Sequence, residues 1–192
     1  MINVGNSKKG EIEIIKPNLV FSNQYIQIYN DNVKFPAGNL GTYIRISNSS
    51  DKSVAIFPVT TDGNIVVIRN FRHGVRGWGI EIPKGAIEPD ETSQEAALRE
   101  LEEETGYTCQ KLVHICEYSE SPAIFSNKID CYLALNCRLI HEPHSENTEA
   151  IDKSFEISLK DFLERKYDAD FIDALSELLA YQYYFIKEEI QL

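Results

Sequence analysis

Positive charge is scarce in this chain. Its 192 residues hold 19 Lys and Arg against 30 Asp and Glu, a formal net charge of −11. Such a surface repels a phosphate backbone, which argues against a general nucleic-acid-binding role. A small phosphorylated ligand is not excluded, because bound cations and a few local Arg or Lys can reverse the sign within a cleft. Cysteine is also sparse. Cys109, Cys116, Cys131 and Cys137 form no Cys-x-x-Cys pair and show no zinc-type spacing to histidine. Neither a disulfide framework nor a structural zinc site is expected, and buried reduced thiols are the simpler expectation. The start, Met1 to Gly10, lacks the apolar core of a secretory signal. The most apolar late stretch, Ala174–Ile186, is interrupted by Glu177 and Gln182 and is too short for a bilayer. These absences point to the cytoplasm, with no membrane partner. Gly and Pro are few, and 43% of residues are hydrophobic. That composition suits an ordered chain of one domain with a sizeable core.

Organisation follows from local patterns. Residues 1–10 read as a loose, flexible polar start. Residues 11–48 read as an antiparallel strand unit, rich in β-formers from Ile12 to Ile46, with turn signals at Asn30-Asp31-Asn32 and Phe35-Pro36-Ala37-Gly38. Residues 49–192 form the main domain. Two strands, Ser53–Val59 and Asn64–Arg69, flank Thr61-Asp62-Gly63, where glycine accepts a tight turn cheaply. Phe71–Trp78 reads as a loop carrying Arg72, His73 and Arg76, and Gly79–Ile82 as a short extended piece ended by Pro83. Thr92–Thr105 is predicted helical: Thr92 caps it, Glu95 completes a capping box, and Gly106 stops it. Strands follow at Leu112–Tyr118 and Ile129–Ile140, the second placing Ile129, Cys131, Leu133 and Leu135 on one face. An acidic loop, His141–Ala150, precedes helices at Ser158–Glu164 and Asp168–Ile186. The order predicts an α/β fold, an α/β/α sandwich around a mixed sheet.

The central helix carries the chemistry. At about 100° per residue, Glu104 lies about 40° to one side of Glu100 and Glu103 about 60° to the other. Three carboxylates therefore share one face, while Ala97, Leu98 and Leu101 lie beside it and can pack on the sheet. Glu95 and Glu102 point elsewhere. Clustered carboxylates repel unless a cation sits among them. Arg99, next to Glu100 and one turn before Glu103, neutralises part of the group, and the rest suits hard divalent cations. An acidic helix face alone is usually only a solvated surface. The spacing around this one says more.

From Gly85 the chain reads Gly-x5-Glu91-x7-Arg99-Glu100-Leu101-x-Glu103-Glu104-x-Gly106-Tyr107. This resembles the Nudix box, with every fixed position filled and only the final aliphatic replaced, by Tyr107. The resemblance implies a Nudix fold and hydrolysis of a nucleoside diphosphate linked to another moiety, with Mg²⁺ as cofactor and Mn²⁺ as a substitute. It implies that Glu100, Glu103 and Glu104 bind metal, with Glu103 and Glu104 also catalytic, and that the backbone carbonyl of Lys84 is a further ligand. Gly85 and Gly106 would allow the turns of the box, and Glu91 and Arg99 would brace it.

Beyond the box, Phe71-Arg72-His73, Glu81-Ile82-Pro83-Lys84-Gly85 and Ser121-Pro122 look like the ADP-ribose pyrophosphatase branch, which also hydrolyses other nucleotide sugars. That resemblance implies substrate contacts from Arg72, Glu81 and Pro122. It also implies a late carboxylate, Glu149 first and Glu146 second, as base or extra ligand, and a homodimer in which front strands cross to the partner. The chain departs from that branch in reading Pro83-Lys84-Gly85 for the usual Pro-Ala-Gly, and Ser121-Pro122-Ala123 for Ser-Pro-Gly. Asn147 stands where some relatives place a glutamate. Hydrolysis of dinucleoside polyphosphates or nucleoside triphosphates, and sensing of a nucleotide sugar without turnover, are the competing readings.

Overall fold

The computed structural model describes residues 2–48, 50, 52–144 and 150–187. It divides into two compact units, one of Met1–Lys52 with Ser119–Lys128, the other of Ser53–Tyr118 with Ile129–Leu192.

The first unit is a four-stranded antiparallel sheet built on a central strand. After a short 3-10 turn at Ser7–Lys9 come β1 (Glu13–Lys16), β2 (Leu19–Ser22), β3 (Ile26–Lys34) and β4 (Leu40–Asn48). β3 pairs with all three others, and runs with β4 in unbroken register from Ile26↔Asn48 to Lys34↔Leu40. Phe35-Pro36-Ala37-Gly38 makes the connecting turn, with the Gly38 N–H donating to the Phe35 carbonyl at 2.8 Å. Asn30-Asp31-Asn32 is not a turn. It lies inside β3, because Asp31 is buried and its carboxylate accepts from Arg45 Nε at 2.9 Å and from the Asn18 N–H at 3.2 Å. A paired aspartate tolerates a strand interior that its propensity disfavours. The segment from Ser121 to Asn127 lies along β4: the Ile46 N–H donates to the Ile124 carbonyl at 2.7 Å, and the Ser126 N–H donates to the Ile46 carbonyl at 2.9 Å.

The second unit carries β5 (Lys52–Thr60), β6 (Asn64–Arg72), β7 (Gly77–Glu81), β8 (Lys84–Ala86), α1 (Ser93–Thr105), β9 (Tyr107–Thr108), β10 (Lys111–Tyr118), β11 (Lys128–Leu139), β12 (Ile151–Ser158), α2 (Leu159–Leu163), β13 (Phe171–Ile172) and α3 (Ala174–Ile186). The strands run β10-β11-β5-β6-β7-β13, with β12 on β6, β8 on β5 and β9 on β11. β13 is parallel to β7 while β12 is antiparallel to β6, so the sheet is mixed.

Period-two alternation decides which helix each strand residue meets. Val54 and Ile56 of β5, Val66 of β6, and Tyr132 and Ala134 of β11 pack with Ala96, Ala97 and Leu101 of α1. Their neighbours Ala55, Phe57, Ile65, Val67, Leu133 and Leu135 pack with Leu159, Phe162, Leu175, Leu179 and Tyr183 of α2 and α3. Helices therefore cover both faces, as an α/β/α sandwich requires. Leu98, expected to pack on the sheet, is exposed, and Ala96 takes the inner position.

Three further elements differ from the sequence reading. Residues 71–78 are mostly a hairpin rather than a loop, because Phe71 and Trp78 are cross-strand partners with ring centroids 5.4 Å apart. Such pairs stabilise a ladder. The strand β12 was hidden by its charges, Asp152, Lys153 and Glu156, which interrupt its apolar alternation. Residues 168–173 are not helical: Phe171 and Ile172 pair with Gly79 and Ile80, and Asp173 caps a helix that starts at Ala174. Among the described residues no helix is long and apolar enough to cross a membrane.

Candidate active site

The helix α1 starts where its capping residues dictate. Thr92 Oγ1 accepts from the Glu95 N–H at 3.2 Å, and the Glu95 carboxylate accepts from the Thr92 N–H at 2.9 Å. It ends at Gly106, whose φ of 75° is the left-handed conformation glycine adopts without penalty. A side chain there would also strike the His141 carbonyl, since a Cβ would lie 2.0 Å from that oxygen.

Between these ends the three carboxylates take different places. Glu104 is 1% exposed and Glu100 8%, both beside the packing residues Ala97 and Leu101. The Glu103 side chain stays 41% exposed, at the rim. Glu104 Oε2 accepts from the Lys84 N–H at 2.9 Å, which ties the helix to β8. Glu100 presses against Gly85, where a Cβ would stand 2.0 Å from its Oε1. The glycine is thus required by a close approach between loop backbone and carboxylate.

Arg99 holds the segment together. It meets Glu91 as a fork, Nε to Oε1 at 2.9 Å and Nη2 to Oε2 at 3.0 Å, and Nη2 also reaches the Ala86 carbonyl at 2.9 Å. Nη1 donates to Glu100 at 2.7 Å and to Glu103 at 3.1 Å. Bidentate charge-assisted bonds are the strong class, and Arg99 holds the Glu91 carboxyl below its ordinary range. Tyr107, in place of the aliphatic, keeps its ring in the core with Val54 and Val66 and donates its hydroxyl to Glu156 at 2.9 Å. Burial first, then that carboxylate, pushes the phenol up to about 12.

Arg72 and Glu81 come together as an ion pair. Arg72 Nε lies 2.8 Å from Glu81 Oε1, and Nη2 closes on Oε2. Glu81 is 1% exposed while the Arg72 side chain is 42% exposed. Glu81 therefore lies beneath the arginine and orients it, leaving the guanidinium as the group that faces outward. Pro122 belongs to the first unit, where it is exposed and lines a cavity of about 250 Å³ with Ile14, Val33, Ile44 and the Asp31–Arg45 pair. Glu146 and Glu149, with Asn147, lie outside the described residues.

Sequence reading missed the side chain of Lys84 and the residues around it. Lys84 Nζ lies 2.9 Å from Asp173 Oδ1 and 3.3 Å from Glu81 Oε2. A charged residue at the threshold of the box was the available signal. Its partner Asp173 is distant in sequence and could not be assigned. The four cysteines are free, and burial pushes the Cys131 and Cys137 thiols up to about 12.

An all-oxygen donor set suits a hard divalent cation rather than a soft one. The bare Gly85 backbone against Glu100 likewise leaves the loop close to that set. Among the described residues no three His, Cys, Asp or Glu side chains are grouped as a metal cage. Arg99 takes Glu100 and Glu103, and the Lys84 amide takes Glu104. The oxygen donors present fit a divalent ion, and Arg99 already supplies one positive charge to them.

A model of the NUDIX domain matches residues 50–178. The chain belongs to the Nudix family. An ADP-ribose pyrophosphatase of Bacillus subtilis is 30% identical over 96% of this chain and 98% of its own length. An ADP compounds hydrolase, NudE, of Escherichia coli is 31% identical over 53% of this chain and 54% of its own. A crystal structure of an ADP compounds hydrolase superposes with a TM-score of 0.74 at 23% identity, covering 94% of this chain and 97% of that one. The chain is accordingly a Nudix pyrophosphatase, with the Nudix fold and the box of that family on β8 and α1.

Proposed function

We propose that this Nudix enzyme hydrolyses the pyrophosphate bridge of an ADP-linked sugar, ADP-ribose first, giving AMP and ribose 5-phosphate. The observation that carries the substrate class is the near full-length similarity to the Bacillus subtilis ADP-ribose pyrophosphatase. Mg²⁺ would be held by Glu100, Glu103, Glu104 and the Lys84 carbonyl, with Mn²⁺ as a substitute and Glu149 as an additional ligand. When bound, the ion neutralises phosphate charge and lowers the pKa of a coordinated water.

The residues do the rest. Arg72 faces the phosphates, and Glu81 holds its guanidinium in one orientation, so less rotamer freedom is lost on binding. Buried Glu104 and Glu100 keep their positions through the Lys84 N–H and Arg99, which is the preorganisation a water-excluded site needs. Glu103 and Glu104 serve the attacking water directly, with Glu149 or Glu146 as the late-loop base. We also propose Pro122 as a substrate contact. We place it in the cytoplasm, where free thiols stay reduced. We assign it a homodimer joined through the front strands, where Leu19, Val20, Phe21 and Tyr25 are exposed.

The test is product analysis with Mg²⁺ on a panel of nucleotide sugars, dinucleoside polyphosphates and nucleoside triphosphates, with a chelator control. AMP and ribose 5-phosphate from ADP-ribose, lost with chelator and restored by Mg²⁺ or Mn²⁺, is the expected result. Preferred turnover of a dinucleoside polyphosphate or a triphosphate would overturn the substrate class. Tight binding of a nucleotide sugar without turnover would make the protein a sensor.

A further inference from the structure

The approach to the box is clamped from two sides. On one side β8 pairs with β5, Lys84 standing opposite Ala55. On the other, the Ile82 N–H donates to Ser176 Oγ at 3.0 Å, and Ser176 is itself bound to Asp173 Oδ2 through its hydroxyl at 2.7 Å and its N–H at 3.0 Å. Ser176 is fully buried at the first turn of α3. The segment 82–84 thus runs between a sheet edge and the start of a helix.

Lys84 is the residue that closes this arrangement. Its ammonium bridges Glu81 and Asp173, while its backbone N–H holds Glu104. Arg72 and Lys84 face Glu81 and Asp173, and Glu104 adds its negative charge to the group around Arg72. Burial alone would raise the Asp173 carboxyl, but the Lys84 ammonium and the Ser176 hydrogen bonds outweigh it and hold it low. Without the lysine charge, Glu81 and Asp173 would be left with Arg72 as the cation acting on both, one hydrogen bond from Glu104. Removing one partner of a buried pair is costly because the other is left without compensation. Repulsion would then act on the same loop that fixes Glu104.

We propose that Lys84 is a positioning residue of the hydrolytic site: its ammonium, held between Glu81 and Asp173, fixes the loop whose N–H orients Glu104 and joins the box to α3. The proposal rests on the pyrophosphatase reading for its kinetic consequence, but not for its structural one.

The experiment uses the whole 192-residue chain and the variants Lys84→Met, Lys84→Arg, Asp173→Asn and Lys84→Met/Asp173→Asn. Asparagine still caps a helix, so Asp173→Asn keeps α3 while losing the ion pair. With ADP-ribose and Mg²⁺, Lys84→Met should lower kcat about tenfold with KM within about twofold, the pattern of lost transition-state positioning. Lys84→Arg, which keeps the charge and can reach both carboxylates, should retain most of the activity. Asp173→Asn should also lose kcat, and the double variant should lose no more than the worse single, as shared partners require. Wild-type kcat in Lys84→Met, a rise in KM alone, or additive losses would each overturn the proposal.

Amide hydrogen exchange at positions 82 and 84, followed by NMR without substrate, supplies the second readout. It should quicken by about tenfold or more in Lys84→Met and not in Lys84→Arg. Should the wild-type protein hydrolyse none of the nucleotide sugars, the substrate reading fails while the exchange rates still decide the role of Lys84. Unchanged rates would overturn it.

Discussion

Gly85→Ala tests the placement of Glu100 with the smallest possible perturbation, one methyl group. Gly85 is not in the left-handed region, so alanine is locally allowed and the cost comes from its neighbours. The new Cβ would lie 2.0 Å from Glu100 Oε1, 2.2 Å from Cδ and 2.5 Å from Oε2. Comfortable contact needs roughly 3.5 Å, so something must move by more than about 1 Å. The backbone resists. β8 is paired with β5 at Ser53↔Ala86, Val54↔Gly85 and Ala55↔Lys84, and Val54 and Ala55 are fully buried. The carboxylate must therefore swing away, giving up its 2.7 Å bond to Arg99. Overpacking of this kind costs about 1–3 kcal/mol, offset by about 0.4–1 kcal/mol because alanine restricts the unfolded chain. The melting temperature should then fall by only a few degrees. Displacement of a site carboxylate by about 1 Å can cost about 100-fold in turnover. Steady-state hydrolysis of ADP-ribose with Mg²⁺, alongside thermal melts, reads both quantities. A variant with wild-type kcat would refute the argument that Glu100 acts from its place against Gly85.

Three further outcomes are expected. Glu104→Gln keeps an oxygen able to accept from the Lys84 N–H but loses the charge, so turnover should fall about 1,000-fold with melting nearly unchanged; near-normal activity would remove Glu104 from the catalytic set. Thr92→Ala deletes the capping box and should cost about 1 kcal/mol in urea unfolding while leaving kcat intact; an unshifted midpoint would show the cap to be dispensable. Glu91 and Asp173 have carboxyls held below their ordinary values of 4.5 and 3.8. Their contribution to stability is therefore complete above that range and is lost as pH falls through the depressed values. Melting temperature followed from pH 7 downward should drop there, and Asp173→Asn should flatten part of the slope.

The box was legible because its information is local. Thr92 meets Glu95, Arg99 meets Glu100 and Glu103, and the Gly106 N–H meets the Glu102 carbonyl, all within four residues of sequence. The hairpin at Thr61-Asp62-Gly63 was legible for the same reason, its glycine having a φ of 81°. Legibility failed where a polar residue finds a distant partner. Asp31 reads as a turn residue until Arg45 of the neighbouring strand is seen to donate to its buried carboxylate. Phe171 and Ile172 read as helix because nothing local shows that β7 will offer them an edge. β12 carries three charged residues in eight, and is a strand because β6 pairs with it along its length.

The same distinction explains how the site is built. The helix periodicity places the carboxylates on one face but says nothing of what keeps them charged and in place. That task falls to residues outside the helix: Gly85 and Lys84 from β8, Glu91 from the loop, Glu81 from β7 and Asp173 from the start of α3. Each is needed for a different physical reason, absent volume in one case, an N–H in another, charge balance in the rest. Lys84 stands where the branch that this sequence resembles usually has alanine. It brings an ammonium between buried Glu81 and partly buried Asp173, where it meets both carboxylates.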